Sequence, residues 1–378
     1  MLGAQCSAGE RQRRKPNQQT LSTREGKGPG WVRRCAGVGL FVCLFHILFL
    51  PLHRKTESDM KQKYIIGVML LAIAPFACAC TGNGKAANAE QTATVSDTVE
   101  QTETKTDTVP YYMKTAEYTK EDSALVVKLL ADAKTERGDE NRMLYFGKKF
   151  LGVPYVASTL ENGDTEHLIV NLHELDCTTF VETITALTLC DKDDTRTFED
   201  YCRNLVRIRY RNGEMGDYTS RLHYFTWWGD DNQRLGIVKC IYSAKKPFTA
   251  IQKVNINYMS KHPDLYKQLK AHPEFVKKIS EYERGTSGMT YYYIPKANVG
   301  WKQSSSLGII EDGDILAMLT SKEGLDTSHI GVAVWQKGKL HLMNASRVHK
   351  KVVIDTKTFY DYQQIQTSQT GIRVFRVQ

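Results

Sequence analysis

Leu175-Asp176-Cys177-Thr178-Thr179-Phe180-Val181-Glu182 sets a cysteine between a helix-capping aspartate and an amphipathic run. Phe180, Val181, Ile184 and Leu187 follow Cys177 at helical intervals, so one face of the predicted helix, which runs to about Cys190, is apolar. Asp176 can accept hydrogen bonds from the amides of the first turn, which makes it a good N-cap. Cys177 then stands at the helix N-terminus, where a partial positive charge of about half a unit favours thiolate over thiol. A thiolate at the mouth of a core-facing helix is the layout of a cysteine hydrolase. The competing reading is a structural cysteine on the same face, since free cysteine is among the most buried residues. The helix alone does not separate the two.

Upstream, Ala124, Val127, Leu130 and Ala131 share one face of a helix predicted over residues 121–135. A second helical segment, 141–150, stops at Gly152-Val153-Pro154, and the turn Leu151–Tyr155 delivers a tyrosine ahead of the cysteine. Residues 167–172 read as a strand. Downstream, 197–206 is helical, and Arg207, Arg209 and Arg211 then alternate with Ile208 and Tyr210 in the two-residue period of a strand. Its charged face is either solvated or a carboxylate-binding site. Arg221-Leu222-His223-Tyr224-Phe225-Thr226-Trp227-Trp228 gathers aromatics that suit a core or the wall of a cleft. Residues 263–279 read as two short helices. From Ile309 strands dominate: 314–319, 330–335, a hairpin turn at Lys337-Gly338-Lys339 into 340–345, then 352–355 and 372–377. Helices followed by antiparallel strands predict an α+β fold, a helix packed on a sheet.

The N-terminal end has a different character. Residues 1–59 hold ten basic and four acidic residues, leaving the remainder only three charges positive. That near-neutral body makes no case for nucleic acid. Met60-Lys61-Gln62-Lys63 supplies a start and a basic region, and Tyr64 to Ala77 an apolar core of signal-peptide length. The end, Ala77-Cys78-Ala79-Cys80, resembles a bacterial lipoprotein signal over residues 60–80, with Cys80 as the preferred lipidated residue over Cys78. Met60 is therefore the expected start and residues 1–59 a mis-called upstream extension; the alternative is a further membrane anchor. Residues 81–109, rich in Thr, Ala, Glu, Gln and Asp, cannot bury enough surface to order themselves and read as a tether. The catalytic domain is expected over 110–378, in a cell-envelope lipoprotein facing the periplasm.

A cysteine hydrolase needs a base within hydrogen-bond reach and a third group to orient it. His329 opens the run Ser328-His329-Ile330-Gly331-Val332-Ala333-Val334, where an imidazole can project from a sheet toward a helix end. Asn344, in the adjoining hairpin strand, could hold the far ring nitrogen. A satisfied structural histidine is the competing reading. A zinc site on His223, His329 and His341 is a further option, without HExxH or comparable spacing to support it.

Taken in order, Gly152-Val153-Pro154-Tyr155, Asp176-Cys177-Thr178-Thr179-Phe180-Val181, Asp312-Gly313-Asp314-Ile315, Ser328-His329-Ile330-Gly331 and Asn344-Ala345-Ser346 resemble the marks of the NlpC/P60 superfamily. The Leu175–Glu182 run, Arg209-Tyr210-Arg211-Asn212-Gly213 and Arg221-Leu222-His223-Tyr224-Phe225 look more closely like its DUF1460 branch, described as N-acetylmuramoyl-L-alanine amidase-like. The resemblance covers roughly residues 120–378. It implies a papain-like core, Cys177 as nucleophile, His329 as base and no metal or other cofactor. The superfamily often has histidine where this chain has Asn344, but asparagine can still accept the imidazole N–H. The Cys177 to His329 spacing is long for a minimal domain, so an insertion over about 191–310 is expected to wall the cleft.

The expected substrate is peptidoglycan or a muropeptide, and the expected bond joins the muramoyl lactyl group to L-alanine. Tyr155 would add an oxyanion donor. Trp227 and Tyr224 offer faces to a sugar, Arg209, Arg211 and Arg221 pair with stem carboxylates, and His223 lies among them. The rival readings are an endopeptidase cutting between D-glutamate and the diamino acid, and a non-catalytic wall-binding lipoprotein. Cys190 could pair with Cys202 or Cys240 outside the cytoplasm.

Overall fold

The computed structural model describes residues 109–300 and 307–378; the extension, signal, tether and Cys80 expected upstream lie outside the described residues. After one helical turn at Tyr111–Lys114, helix α1 (Lys120–Thr135) opens on a reciprocal cap. Thr119 accepts the Asp122 amide and the Asp122 carboxylate accepts the Thr119 amide. Its buried stripe is Val126, Leu129, Leu130 and Ala133, rotated from the expected one, and Val127 is exposed. Both stripes have helical spacing; packing against α3 selects between them. Helix α2 (Arg142–Lys149) follows. Residues 167–172 form no ladder strand, only a parallel bridge from Ile169 to Glu117, and the Ile169 carbonyl accepts from the Arg209 guanidinium at 2.8 Å.

Helix α3 (Cys177–Lys192) is buried almost all round rather than on one face. Its threonines are tolerated inside because they return their hydroxyls to the helix. Thr185 Oγ1 donates to the Val181 carbonyl and Thr188 Oγ1 to the Ile184 carbonyl, each at 2.7 Å. Helix α4 (Phe198–Arg209) runs through Arg207 and Arg209, where alternation had predicted a strand. Tyr201, Leu205 and Ile208 lie on one helical face and are buried, so the three-to-four-residue period outweighs the short alternation. Helix α5 (Phe225–Arg234) holds the aromatic run.

The strands are β1 (Val238–Ile241), β2 (Ala250–Lys253) and, after helix α6 (Pro273–Thr286), β3 (Thr290–Pro295), β4 (Ile315–Thr320), β5 (Thr327–Gln336), β6 (Lys339–Ser346) and β7 (Lys351–Ile354). Helix α7 (Phe359–Gln364) then leads to β8 (Gln369–Val377). Their order is β2-β3-β8-β4-β5-β6-β7, all antiparallel. Strand β8 is central, with β4 along one side and β3 and then β1 along the other. The β5–β6 hairpin closes on Lys337 and Gly338, with φ of 50° and 74°, the left-handed pair a tight two-residue turn requires. The expected insertion is not set apart: β1, β2 and β3 join the common sheet and α4 and α5 the common core. One sheet face (Ala317, Ile330, Val332, Met343, Ala345) packs on the helices; the other (Leu316, Met318, Leu342, Val374) packs under Phe359 and Ile310.

Two charges hold α3 to α4: Arg209 Nε donates to Glu182 Oε2 at 2.8 Å, and both side chains are buried. Truncating one partner of such a pair strands the other's charge in the core. Arg209→Ala is therefore expected to destabilise the fold by about 3–5 kcal/mol, read as a lowered midpoint in urea unfolding. An unchanged midpoint would show that Glu182 finds another partner.

Candidate active site

The start of α3 is fixed by one residue. Asp176 has extended backbone angles, and its Oδ1 accepts from the Thr178 amide at 3.0 Å and the Thr179 amide at 2.8 Å. In return Thr179 Oγ1 accepts the Asp176 amide at 2.9 Å. Cys177, fully buried, is the first residue of the helix. Strands β5 and β6 pack against this helix and carry His329 and Asn344. His329 Nε2 lies 2.9 Å from Asn344 Oδ1. An amide oxygen can only accept, so Nε2 carries the hydrogen and Nδ1 keeps the lone pair that a base needs.

Burial is the main influence on His329 and pulls its pKa below the ordinary 6.5; the Asn344 bond and the Asp176 carboxylate pull it up, and Arg347 pushes it down. The ring thus feels the carboxylate that caps α3 and the cation of the β6–β7 turn. Tyr155 is held by backbone pairing. The Leu175 amide donates to the Pro154 carbonyl at 3.0 Å, the Val156 amide to the Leu175 carbonyl at 3.2 Å, and the Tyr155 amide to the Lys350 carbonyl at 3.0 Å. The backbone at Tyr155 is therefore tied to the segment that leads into Cys177, while His329 and Asn344 pair on the two strands that pack against that helix. Arg347, exposed in the β6–β7 turn one residue beyond Asn344-Ala345-Ser346, is a cation whose field reaches His329 and which the sequence did not single out.

The residues expected to touch substrate fare differently. Arg209 is spent on Glu182 and the Ile169 carbonyl. Arg221 is buried against Glu161, Glu166 and the Leu160 carbonyl. His223 bonds the Tyr218 carbonyl at 2.7 Å and is held far below its usual pKa by burial and by Arg221. Tyr224 donates to Glu283 and Trp227 Nε1 to Thr286 Oγ1, both buried. These five side chains are interior structure, because each is buried and bonds a protein group. Arg211 is only half-buried, with its guanidinium 4.0 Å from the Tyr282 ring centroid and 5.1 Å from that of Trp227.

Cys190, Cys202 and Cys240 are free thiols, and neither of the two pairings open to Cys190 is present. Asn204 Nδ2 donates to Cys190 Sγ at 3.3 Å, and burial pushes the Cys202 thiol up to about 12. Among the described residues no three His, Cys, Asp or Glu side chains form a metal-binding group. His223, His329 and His341 have three separate partners, the last bonding the Asp355 carbonyl at 3.1 Å.

The relatives of this α+β chain define its class. It is a member of the N-acetylmuramoyl-L-alanine amidase-like family: the AmiA-like family model matches residues 145–372, more than half of the chain. The solved structure of an N-acetylmuramoyl-L-alanine amidase from Bacteroides uniformis is 41% identical, covers 62% of this chain and 98% of its own, and superposes with a TM-score of 0.59. A Bacteroides fragilis protein described provisionally as a xylanase is 44% identical, covers 61% and 99%, and gives 0.57. A Legionella pneumophila protein of family-model DUF1460, 22% identical over 68% and 94%, gives 0.52 and speaks to the fold alone. No curated protein matches.

The site carries its own test. His329 is expected to titrate with a midpoint below 6.5, and lower still in Asp176→Asn, which keeps a capping oxygen but removes the charge that raises it. Because the folded-state value is depressed, the unfolded chain takes up the proton first as pH falls. Stability present above pH 6.5 is then lost from there down to the folded-state value. An NMR titration of the ring reads both; a midpoint above 6.5 would overturn the neutral-imidazole assignment.

Proposed function

We propose that this protein is a cell-wall cysteine amidohydrolase that cleaves the amide between the N-acetylmuramoyl lactyl group and L-alanine. The observation that carries the reading is the His329–Asn344 pair beside the capped helix that begins at Cys177. A thiol at a helix start, with histidine and asparagine on the paired strands of one hairpin, supports reading the core as papain-like and of the NlpC/P60 kind. His329 Nδ1 takes the Cys177 proton, and the thiolate sulfur attacks the amide carbonyl carbon. The positive end of α3 favours both the thiolate and the oxyanion, and Tyr155 adds a donor that, as an oxyanion-hole group, contributes some 10²-fold. The imidazolium, its N–H held by Asn344, protonates the departing alanine nitrogen as the C–N bond breaks. Water, deprotonated by His329, then hydrolyses the thioester, releasing the lactyl carboxylate and restoring the thiol. Burial of His329 supports the first step, because it keeps the ring neutral and able to accept.

The xylanase description of one relative fits this site less well. Glycoside hydrolysis calls for two carboxyl groups flanking the bond, whereas the carboxylate facing His329 is Asp176, whose Oδ1 is engaged in the helix cap. The lipid anchor through Cys80 and a periplasm-facing location belong to the same proposal and are supported by the signal-like residues 60–80.

Cys177→Ala should abolish hydrolysis and keep the fold, and His329→Ala should lose nearly as much, since residues that act as a unit are not additive. EDTA should have no effect. Retained activity in Cys177→Ala, with loss on chelation, would refute the thiol mechanism.

Digestion of a purified disaccharide tetrapeptide identifies the bond. A free disaccharide plus an intact tetrapeptide is expected. A disaccharide dipeptide instead would make the enzyme an endopeptidase.

A further inference from the structure

Three consecutive tyrosines, Tyr291, Tyr292 and Tyr293, lie on β3, and two of them have interior duties. Tyr291 donates its hydroxyl to Asp230 and stacks under the Arg373 guanidinium, 3.8 Å from the ring centroid. Tyr293 packs over Gly371, where a Cβ would come within 2.7 Å of its ring. Tyr292 points the other way and is 38% exposed. Its ring lies parallel to that of Tyr242, with 3° between the planes and 6.1 Å between centroids, and Tyr242 is 61% exposed. Ile251 stands directly opposite Tyr292 on β2, 58% exposed.

The same face continues along the strands. Thr249 precedes Ile251 by two residues, and the pair Lys253–Thr290 follows it, all exposed. The surface is thus apolar and aromatic in the middle and carries hydroxyls and an ammonium at its ends. Strand β2 is the edge of the sheet, and β8 and β4 separate β3 from the strand of His329. At a strand spacing of about 4.8 Å, β3 and β5 lie about 14 Å apart.

Burying Tyr242, Tyr292 and Ile251 inside the molecule would have removed their apolar surface from water, which is favourable. Instead two parallel rings are presented to solvent beside hydrogen-bonding groups. Parallel aromatic faces suit the flat, C–H-bearing face of a pyranose ring, while the rim hydroxyls and Lys253 suit its hydroxyl and N-acetyl groups.

Resting on the amidase reading above, we propose that Tyr242, Tyr292 and Ile251, with Lys253 at one end, form a glycan-binding platform separate from the catalytic groups. It holds the sugar strand of polymeric peptidoglycan while the site works on an attached peptide.

The test uses the full chain carrying Tyr242→Ala and Tyr292→Ala together, both exposed positions that leave the core intact. In the Cys177→Ala background, binding to purified sacculi and to glycan strands stripped of peptide should weaken about tenfold, the loss of roughly one ring stack per strand. With Cys177 present, turnover on sacculi should fall while turnover on a soluble disaccharide tetrapeptide stays at the parental rate. Equal binding of parent and variant to stripped glycan would overturn the platform. So would a sedimentation shift showing that these tyrosines pair two copies of the chain. Failure of the parent to cut the soluble fragment would instead overturn the amidase reading, and the binding comparison would stand independently of it.

Discussion

The first turn of a helix presents amides that the helix itself cannot satisfy, and in α3 a single buried oxygen of Asp176 takes two of them. That constraint sets the position of Cys177, since a helix that started one residue later would rotate the thiol by about 100°. Thr179 closes the cap from the other side by accepting the Asp176 amide. The carboxylate is therefore held, and its field falls on His329. One residue thus fixes where the nucleophile candidate stands and biases the charge of the base candidate.

The rest of the core keeps that helix from moving. Helix α3 is enclosed by α1, α2, α4 and the β5–β6 hairpin. Enclosure on all sides demands that every polar group along it be answered within the protein. The threonines answer themselves through their own helix, and Glu182 is answered by Arg209. A buried ion pair of this kind contributes little net stability relative to an apolar pair. It does define how α4 sits against α3, because the guanidinium also fixes the Ile169 carbonyl. The segment just upstream of Cys177 is tied down by the same hand that orients α4.

The backbone around the site is joined in a similarly economical way. Residues 154–156 pair with Leu175 on one side and with the β6–β7 turn on the other. Tyr155, the α3 start and the turn that carries Arg347 are linked by main-chain hydrogen bonds, which do not depend on side-chain identity.

Local sequence was enough for the parts of this protein whose signals are local. Asp176, with the apolar period after Cys177, determined a capped helix with cysteine at its head, and alternation with the Lys337-Gly338 turn determined the β5–β6 hairpin. His329 and Asn344 were legible as candidates because they lie on those elements. Tertiary structure decided what local signals leave degenerate. Arg207, Arg209 and Arg211 alternate as well as any strand, yet the buried face of α4 and the isolated charge of Glu182 claimed Arg209 for the core. Arg221, His223, Tyr224 and Trp227 read as a sugar and carboxylate surface but found Glu166, Tyr218, Glu283 and Thr286 inside. A sequence shows that a side chain can bond; only the packed chain shows whether a protein group or solvent stands where the bond will form, because Glu166, Glu283 and Thr286 are brought in from more than fifty residues away.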